Sequence, residues 1–333
     1  MNYIGSKLKL LPFLKEEISK VVGSNMSKMI FCDLFAGSGV VSNEFKSCVK
    51  KVISNDVEFY SYVINRSYLS NDIELEHKSV FEHLNSLSTI EDGFFYKHYS
   101  MSGGGRQYFS DENCKKIDTI RVEIERLKNS NKIDENLYYF LIASLIESAD
   151  KVANTASQYD AFLKDLKYMA KKPLILKPFL FEPDSKSHEV FNEDSNKLIK
   201  NISGDILYLD PPYNQRQYGA AYHILNTIAL YDNFEPKQKT GKREYFHSDY
   251  SKNSSVKNAL NSLIESANFK YIFLSYNNEG FMSQSEIETI LSRYGSYSLS
   301  TKEYKKYKSN TSTCSTTVEH LHILEKEIYG KIQ

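Results

Sequence analysis

The chain has 333 residues, 41% of them apolar and 13% aromatic, enough for one large or two modest domains with a core of their own. Lys+Arg and Asp+Glu both number 42, so net charge gives no sign of a polyanionic partner, and any nucleic-acid surface has to come from segregated charge. Cys32, Cys48, Cys114 and Cys314 lie far apart without a CxxC, which suggests neither a zinc site nor a disulfide framework, and no stretch approaches about 18 apolar residues.

Met1 leads directly into Asn-Tyr-Ile-Gly-Ser-Lys with no basic and then apolar leader, so the chain is expected to be soluble, unexported and cytoplasmic, with no membrane partner. Residues 29–35 form a short apolar run that passes into Ala-Gly-Ser-Gly and then VVSNEFKS, predicting a strand, a tight glycine turn and a helix. A second strand is predicted over 51–55 and a helix over roughly 58–69. Together they imply a βαβ crossover and a parallel sheet.

Between about 71 and 187 the character changes. Helical periodicity runs over 111–128 and 134–150 and continues through YDAFLKDLKYMAKK, while no buried strand is evident. GGGR at 103–106 reads as a flexible loop, and the proline-punctuated 171–183 as an extended exit segment. Strand signals return at 205–209, 270–276, 297–304 and 318–324, with helices at about 222–232, 256–266 and 284–293. The last two strands follow each other closely enough to form an antiparallel hairpin at one edge. The expected organisation is an α/β catalytic domain over 1–74 and 186–333, interrupted by a helical insertion at 75–185.

Three places carry chemistry. In the segment from Asp33 through Phe35 to Gly37 and Gly39, glycines where a strand meets a helix let a small polar ligand approach the backbone beside the helix's positive end; a plain structural turn reads equally well there. Asp56 follows the second strand by one residue, where an acid in Rossmann-like sheets accepts ribose hydroxyls, or caps the next helix. Asp210-Pro211-Pro212-Tyr213 directly follows the apolar strand ILYL, at the sheet edge where open α/β folds place ligands.

The lone pair of an aromatic exocyclic amine is delocalised into its ring, so the nitrogen is a poor nucleophile until acceptors draw it toward tetrahedral geometry. The Asp210 carboxylate and the Pro211 carbonyl can each take one of its hydrogens, Pro212 stiffens that carbonyl, and Tyr213 can stack on the base. A base inside a duplex must be flipped out to reach such a clamp, at about a few kcal/mol.

In order and placement, NYIGSK at 2–7, DLFAGSG at 33–39, ND at 55–56 and DPPY at 210–213 resemble the alpha-class, Dam-like adenine-N6 DNA methyltransferases, over most of the chain from Tyr3 to about Leu324. The resemblance implies a Rossmann-like S-adenosylmethionine-dependent methyltransferase sheet with a helical target-recognition insertion. It implies S-adenosyl-L-methionine as cofactor, with Tyr3 and Lys7 helping to hold it, Asp33, Phe35, Gly37 and Gly39 around its methionine portion, Asp56 on its ribose and Asp194 reading its adenine. Glu193 is adjacent, and either acid could instead cap the next helix. Double-stranded DNA is the implied partner of a chain expected to be a monomer, and a cognate restriction endonuclease would be a functional rather than a physical partner.

Weaker signals surround this core. Arg216 and Tyr218, just after the DPPY run, could touch phosphate or fill the gap left by a flipped base. SYNNEGF at 275–281 falls where the family carries a late motif near the base pocket, or is an Asn-rich turn. Basic groups gather at 237–243, along 164–177, and at Lys302, Lys305, Lys306 and Lys308 with Tyr304 and Tyr307 interleaved; the last is the preferred phosphate-contacting stretch, and a solvated face is the alternative for each. Asn154 and Tyr159 either face a ligand or belong to a helix cap. The competing functions are a methyltransferase-fold DNA-binding protein without activity and an amine methyltransferase acting on RNA.

Overall fold

All six strands expected from the sequence are present in the computed structural model, which describes residues 5–70, 77–305 and 316–327, and a short seventh joins them. They are β1 (Ile30–Asp33), β2 (Lys51–Asn55), β3 (Glu189–Phe191), β4 (Ser203–Leu209), β5 (Asn268–Asn277), β6 (Gly295–Lys305) and β7 (Thr316–Lys326). One sheet holds them in the order β3-β2-β1-β4-β5-β7-β6. The first five run parallel, and β7 is antiparallel to both of its neighbours. The hairpin expected at one edge therefore exists, with its second strand on the inside.

Period-two alternation explains how both faces of the sheet are covered. On one face, Phe31 of β1 stacks on Phe45 of the helix Val40–Lys46 with centroids 4.4 Å apart, and Tyr208 of β4 lies beside it. On the other, Leu207, Leu209, Ile272 and Leu274 share a buried cluster with Leu260, Leu263 and Ile264 of the helix Val256–Ser266 and with Ile287 and Leu291 of the helix Gln284–Leu291. The sequence reading did not find the first helix, Leu11–Val22; it has Pro12 in its first turn and buries Leu14 and Ile18. These elements form a unit of Ser6–Val57, Lys186–Gln217 and Phe246–Gln333.

The second unit comprises Met1–Gly5, Glu58–Ser185 and Tyr218–Tyr245, and its described residues contain no strand. Its borders differ from 75–185, because the helix Phe59–Leu69 and residues 218–245 belong to it. Tyr60, Val63 and Ile64 join a core with Ile142, Leu145, Leu225 and Ile228, and the Tyr60 amide donates to Asn226 Oδ1 at 2.9 Å. The long helices Asp111–Asn129 and Glu135–Val152 lie where the periodicity put them, with Ser110 and Asp134 as N-caps.

Two expectations here are corrected. Residues 159–172 do not form a helix: they are irregular apart from a 3-10 turn at Tyr168–Lys171. Buried Asn154 holds this path open, donating to Gln107 O and Leu163 O and accepting from the Lys167 amide, so its role is structural; Tyr159 is likewise fully buried and donates to Asp150. GGGR is pinned and not a free loop: Met101–Gly104 is a helical turn capped by Ser100, and Arg106 donates to the carbonyls of His98, Gln238 and Lys239. Among the described residues no helix is long and apolar enough to cross a membrane.

Asp118 organises the start of the helix Phe94–Tyr99, accepting the Phe95 amide at 2.7 Å, the Tyr96 amide at 2.9 Å and the Tyr231 hydroxyl at 2.6 Å. A Cβ on Gly93 would lie 2.2 Å from this carboxyl, so only glycine fits there. Asp118→Ala leaves one buried and two partly buried donors without this acceptor and is expected to cost about 3 kcal/mol in a denaturant-unfolding measurement.

Candidate active site

The strand order reverses direction between β1 and β4, which makes the carboxyl ends of these two strands the topological switch point of the sheet. Asp33 is the last residue of β1, Asp56 follows β2 and Asp210 follows β4. Three carboxylates are thus delivered to one edge by the backbone alone.

The glycine turn is tied to its neighbours on both sides. The Leu34 amide donates to Tyr208 O and the Ala36 amide to Asn55 O, while Gly37 and Gly39 have φ of 50° and 73°, the left-handed region that glycine adopts without cost. The Gly37 amide donates to Asp56 Oδ2 at 2.7 Å, which fastens the second acidic residue to the turn. Phe35, half-buried, meets the Tyr250 ring edge-on at 5.1 Å. Asp194 caps the turn Ser195–Leu198 by accepting the Lys197 amide at 3.0 Å. That cap is the alternative role left open by the sequence.

Asp33 is 1% exposed, and its Oδ2 accepts both the amide and the hydroxyl of Ser42, at 3.1 and 2.8 Å. Its Oδ1 is buried with no hydrogen-bond partner among the described residues. Burial pushes the carboxyl up to about 7, with the nearby Asp210 and Asp56 adding to the rise and the Ser42 hydrogen bonds opposing it.

Asp210 lies in a buried ionic chain. Lys7 Nζ is 3.1 Å from Asp210 Oδ1 and 2.8 Å from Glu319 Oε1, and the Ser275 hydroxyl donates to the same Glu319 oxygen. The side chains of Lys7 and Glu319 are 7% and 1% exposed, against 19% for Asp210. Burial, with Glu319 adding to it and Lys7 opposing, pushes Asp210 up to about 6. Burial alone would lower the Lys7 pKa, but Asp210 and Glu319 outweigh it and hold the ammonium well above its ordinary value.

Pro211 is buried, and Tyr213 is held by its backbone: its carbonyl accepts the Phe281 amide at 2.9 Å and the Tyr276 hydroxyl at 3.4 Å. Its ring lies edge-on to Tyr276 at 6.1 Å. The 275–281 stretch therefore braces the DPPY run on two sides.

The structure brings Lys7, Asp33, Phe35, Gly37, Gly39, Asp56, Asp194 and Asp210–Tyr213 into one unit. Tyr3, Lys306 and Lys308 lie outside the described residues, and Lys305 is the last residue of β6. Arg216 is exposed in a turn where its carbonyl accepts the Ser251 hydroxyl, and Tyr218 starts the turn Tyr218–Ala221 of the helical unit. Glu319 went unread, although alternation along β7 puts it on the same face as buried Leu321 and Ile323.

Residues 3–290 match the pattern of the D12 class N6 adenine-specific DNA methyltransferases. The chain belongs to this family. It is 56% identical to the Type II methyltransferase M.NlaIII of Neisseria lactamica over 98% of this chain and 99% of that protein. It is also 37% identical to the Type II methyltransferase M.CviAII of Paramecium bursaria Chlorella virus 1, over 96% of each. Against the Type II methyltransferase M.FokI of Planomicrobium okeanokoites it is 38% identical over 98% of its own length but spans about half, 53%, of that longer protein. As a D12 class methyltransferase the chain is an enzyme acting on the N6 of adenine in DNA, and the RNA and inactive readings are not favoured. Glu319 lies beyond the matched pattern.

Asp33 gives a prediction for this D12 class protein. Its folded pKa of about 7 stands above the ordinary 3.8, so its contribution to stability is complete below about pH 4 and is lost as pH rises through 7, by about 4 kcal/mol. Asp33→Asn carries no such loss, so its Tm relative to wild type should climb between pH 4 and pH 8; a constant difference would contradict the assignment.

Proposed function

We propose that the sheet unit binds S-adenosyl-L-methionine along the carboxyl ends of β1 and β2 and methylates an adenine flipped out of double-stranded DNA. The carrying observation is Asp210, held through one oxygen by Lys7 at the end of β4 and followed by the Pro211-Pro212-Tyr213 run. The cofactor fit rests on the buried Asp33 Oδ1, without a hydrogen-bond partner among the described residues and an acceptor suited to an ammonium, and on Asp56 fixed against the Gly37 amide. Lys7, which the resemblance implies helps to hold the cofactor, is engaged by Asp210 and Glu319.

When bound, the cofactor supplies a methyl group on a sulfonium. Asp210 and the Pro211 carbonyl accept the two amine hydrogens, which draws the nitrogen toward tetrahedral geometry with its lone pair free. With the cofactor bound, the nitrogen would gain a bond to the methyl carbon as the carbon–sulfur bond broke to leave a neutral thioether, and would give one proton to the Asp210 carboxylate, which would pass it to water. Tyr213 stacks on the base, Phe35 lies by the methionine portion of the cofactor and Asp194 reads its adenine.

The helical unit, in this reading, recognises the target. Support comes from 164–177, where Lys164, Lys171, Lys172 and Lys177 are exposed around an open Tyr168. The 237–243 stretch is less suited, since Lys237, Lys242 and Arg243 pair with Glu244, Asp160 and Asp232. The cell compartment is the cytoplasm, and a restriction endonuclease of matching specificity is the functional partner.

Asp210→Ala should cut single-turnover methyl transfer to duplex DNA by about 1,000-fold while cofactor binding persists; transfer at the wild-type rate would sink the mechanism. Alanine at Lys171, Lys172 and Lys177 should flatten the dependence of log K on log salt by about 0.9 for each lysine that neutralises a phosphate, and an unchanged slope would move the DNA surface elsewhere.

A further inference from the structure

Lys7 is placed rigidly. It opens the 3-10 turn Lys7–Leu10, whose Leu10 is buried and which runs straight into the helix anchored by Leu14 and Ile18. Its ammonium reaches Asp210 Oδ1 on one side and Glu319 on the other. Glu319 is fixed in turn, standing opposite Asn277 of β5 and Lys302 of β6 in the sheet register while the Ser275 hydroxyl donates to it. Among the described residues, no other group bonds to the Asp210 carboxylate through its side chain, so the chain Ser275–Glu319–Lys7 engages one carboxylate oxygen.

We propose that Lys7 and Glu319 are positioning residues for methyl transfer: Lys7 grips one oxygen of Asp210 so that the other meets the adenine amine, and Glu319 grips and neutralises Lys7. This rests on the reading of Asp210 as the amine's acceptor. Without Glu319 the ammonium would pair with Asp210 alone, drawing charge from the carboxylate that the amine needs. Without Lys7 the two acids would face each other across a buried space, and Asp210 would hold its proton at the pH of the reaction. The three-member chain keeps Asp210 ionised yet available.

The charged and titratable groups around Asp210 are Lys7 from the turn, Glu319 from β7, Tyr208 from β4, Asp33 from β1 and Tyr213 from the following run. Only the first two lie on the chain described. They act on the carboxyl with opposite sign, Lys7 lowering its pKa and Glu319 raising it. The acid limb of the rate therefore reports them separately.

Single-turnover methyl transfer by the full-length protein, measured against pH on a duplex substrate, tests this. Wild type should gain activity through about pH 6 as Asp210 ionises. Lys7→Met should move that limb upward and Glu319→Gln downward, each by on the order of one pH unit, with the plateau rate of each falling by up to about 100-fold. Lys7→Arg should restore the limb toward wild type. If Lys7→Met does not fold, Glu319→Gln, which keeps size and hydrogen-bonding capacity, carries the same readout. Limbs that stay at the wild-type position, or move in one direction together, overturn the proposal. So does a loss confined to cofactor affinity, which would make Lys7 a cofactor ligand. Asp210→Asn, measured in parallel, separates the two layers: wild-type transfer by that variant removes the acceptor role itself, whereas its inactivity beside unshifted limbs removes only the positioning pair.

Discussion

Carboxylates repel one another most where water is scarce, and this fold brings Asp33, Asp56, Asp210 and Glu319 to the same sheet with Lys7 set among two of them. The arrangement follows from the parallel strands, which end together and deliver their last residues to one edge. Asp33 and Asp210 are both pushed toward neutrality by burial, and the charge of Asp210 adds to the rise at Asp33 while Glu319 adds to that at Asp210. On the proposed reading, this suits a cationic ligand and an amine that becomes cationic as it reacts. On the proposed mechanism stability and activity are opposed here, because Asp33 and Asp210 are carboxylates whose ionisation burial disfavours.

Much of the fold was legible because its signals are local. Period-two apolar runs located β1, β2 and β4 to β7, and the glycines at 37 and 39 marked the turn that only their positive φ allows. The failures had distant causes. The 159–172 stretch has helical spacing, but Asn154 and the Tyr159 amide's bond to Ala221 O commit it to another path. GGGR has loop composition, yet the Arg106 guanidinium fastens it to a segment more than 130 residues further on, at separations of 132 and 133. The partition of residues 218–245 into the helical unit likewise depends on a core contributed by separate segments, including Tyr60 and Ile228.

The site divides along the same line. Asp-Pro-Pro-Tyr and the Gly-Ser-Gly turn are contiguous and stood out as candidates; the rule about the end of a second strand singled out Asp56. Lys7 was noticed through resemblance but with a different partner in view. Glu319 left one trace, a carboxylate on the apolar face of a strand, and nothing in the sequence joined it to a lysine 312 residues away. Basic clusters misled for the converse reason, since composition counts cations without their neighbours, and three of those at 237–243 are answered by acids.

The inward position of β7 also bears on how such a protein comes into being. The lysine beside Asp210 lies 312 residues before the glutamate that balances it, so β7 must be made before the two can meet. A messenger broken upstream of that strand would yield a product whose β5 border stands raw and sticky, open to pairing with other nascent chains.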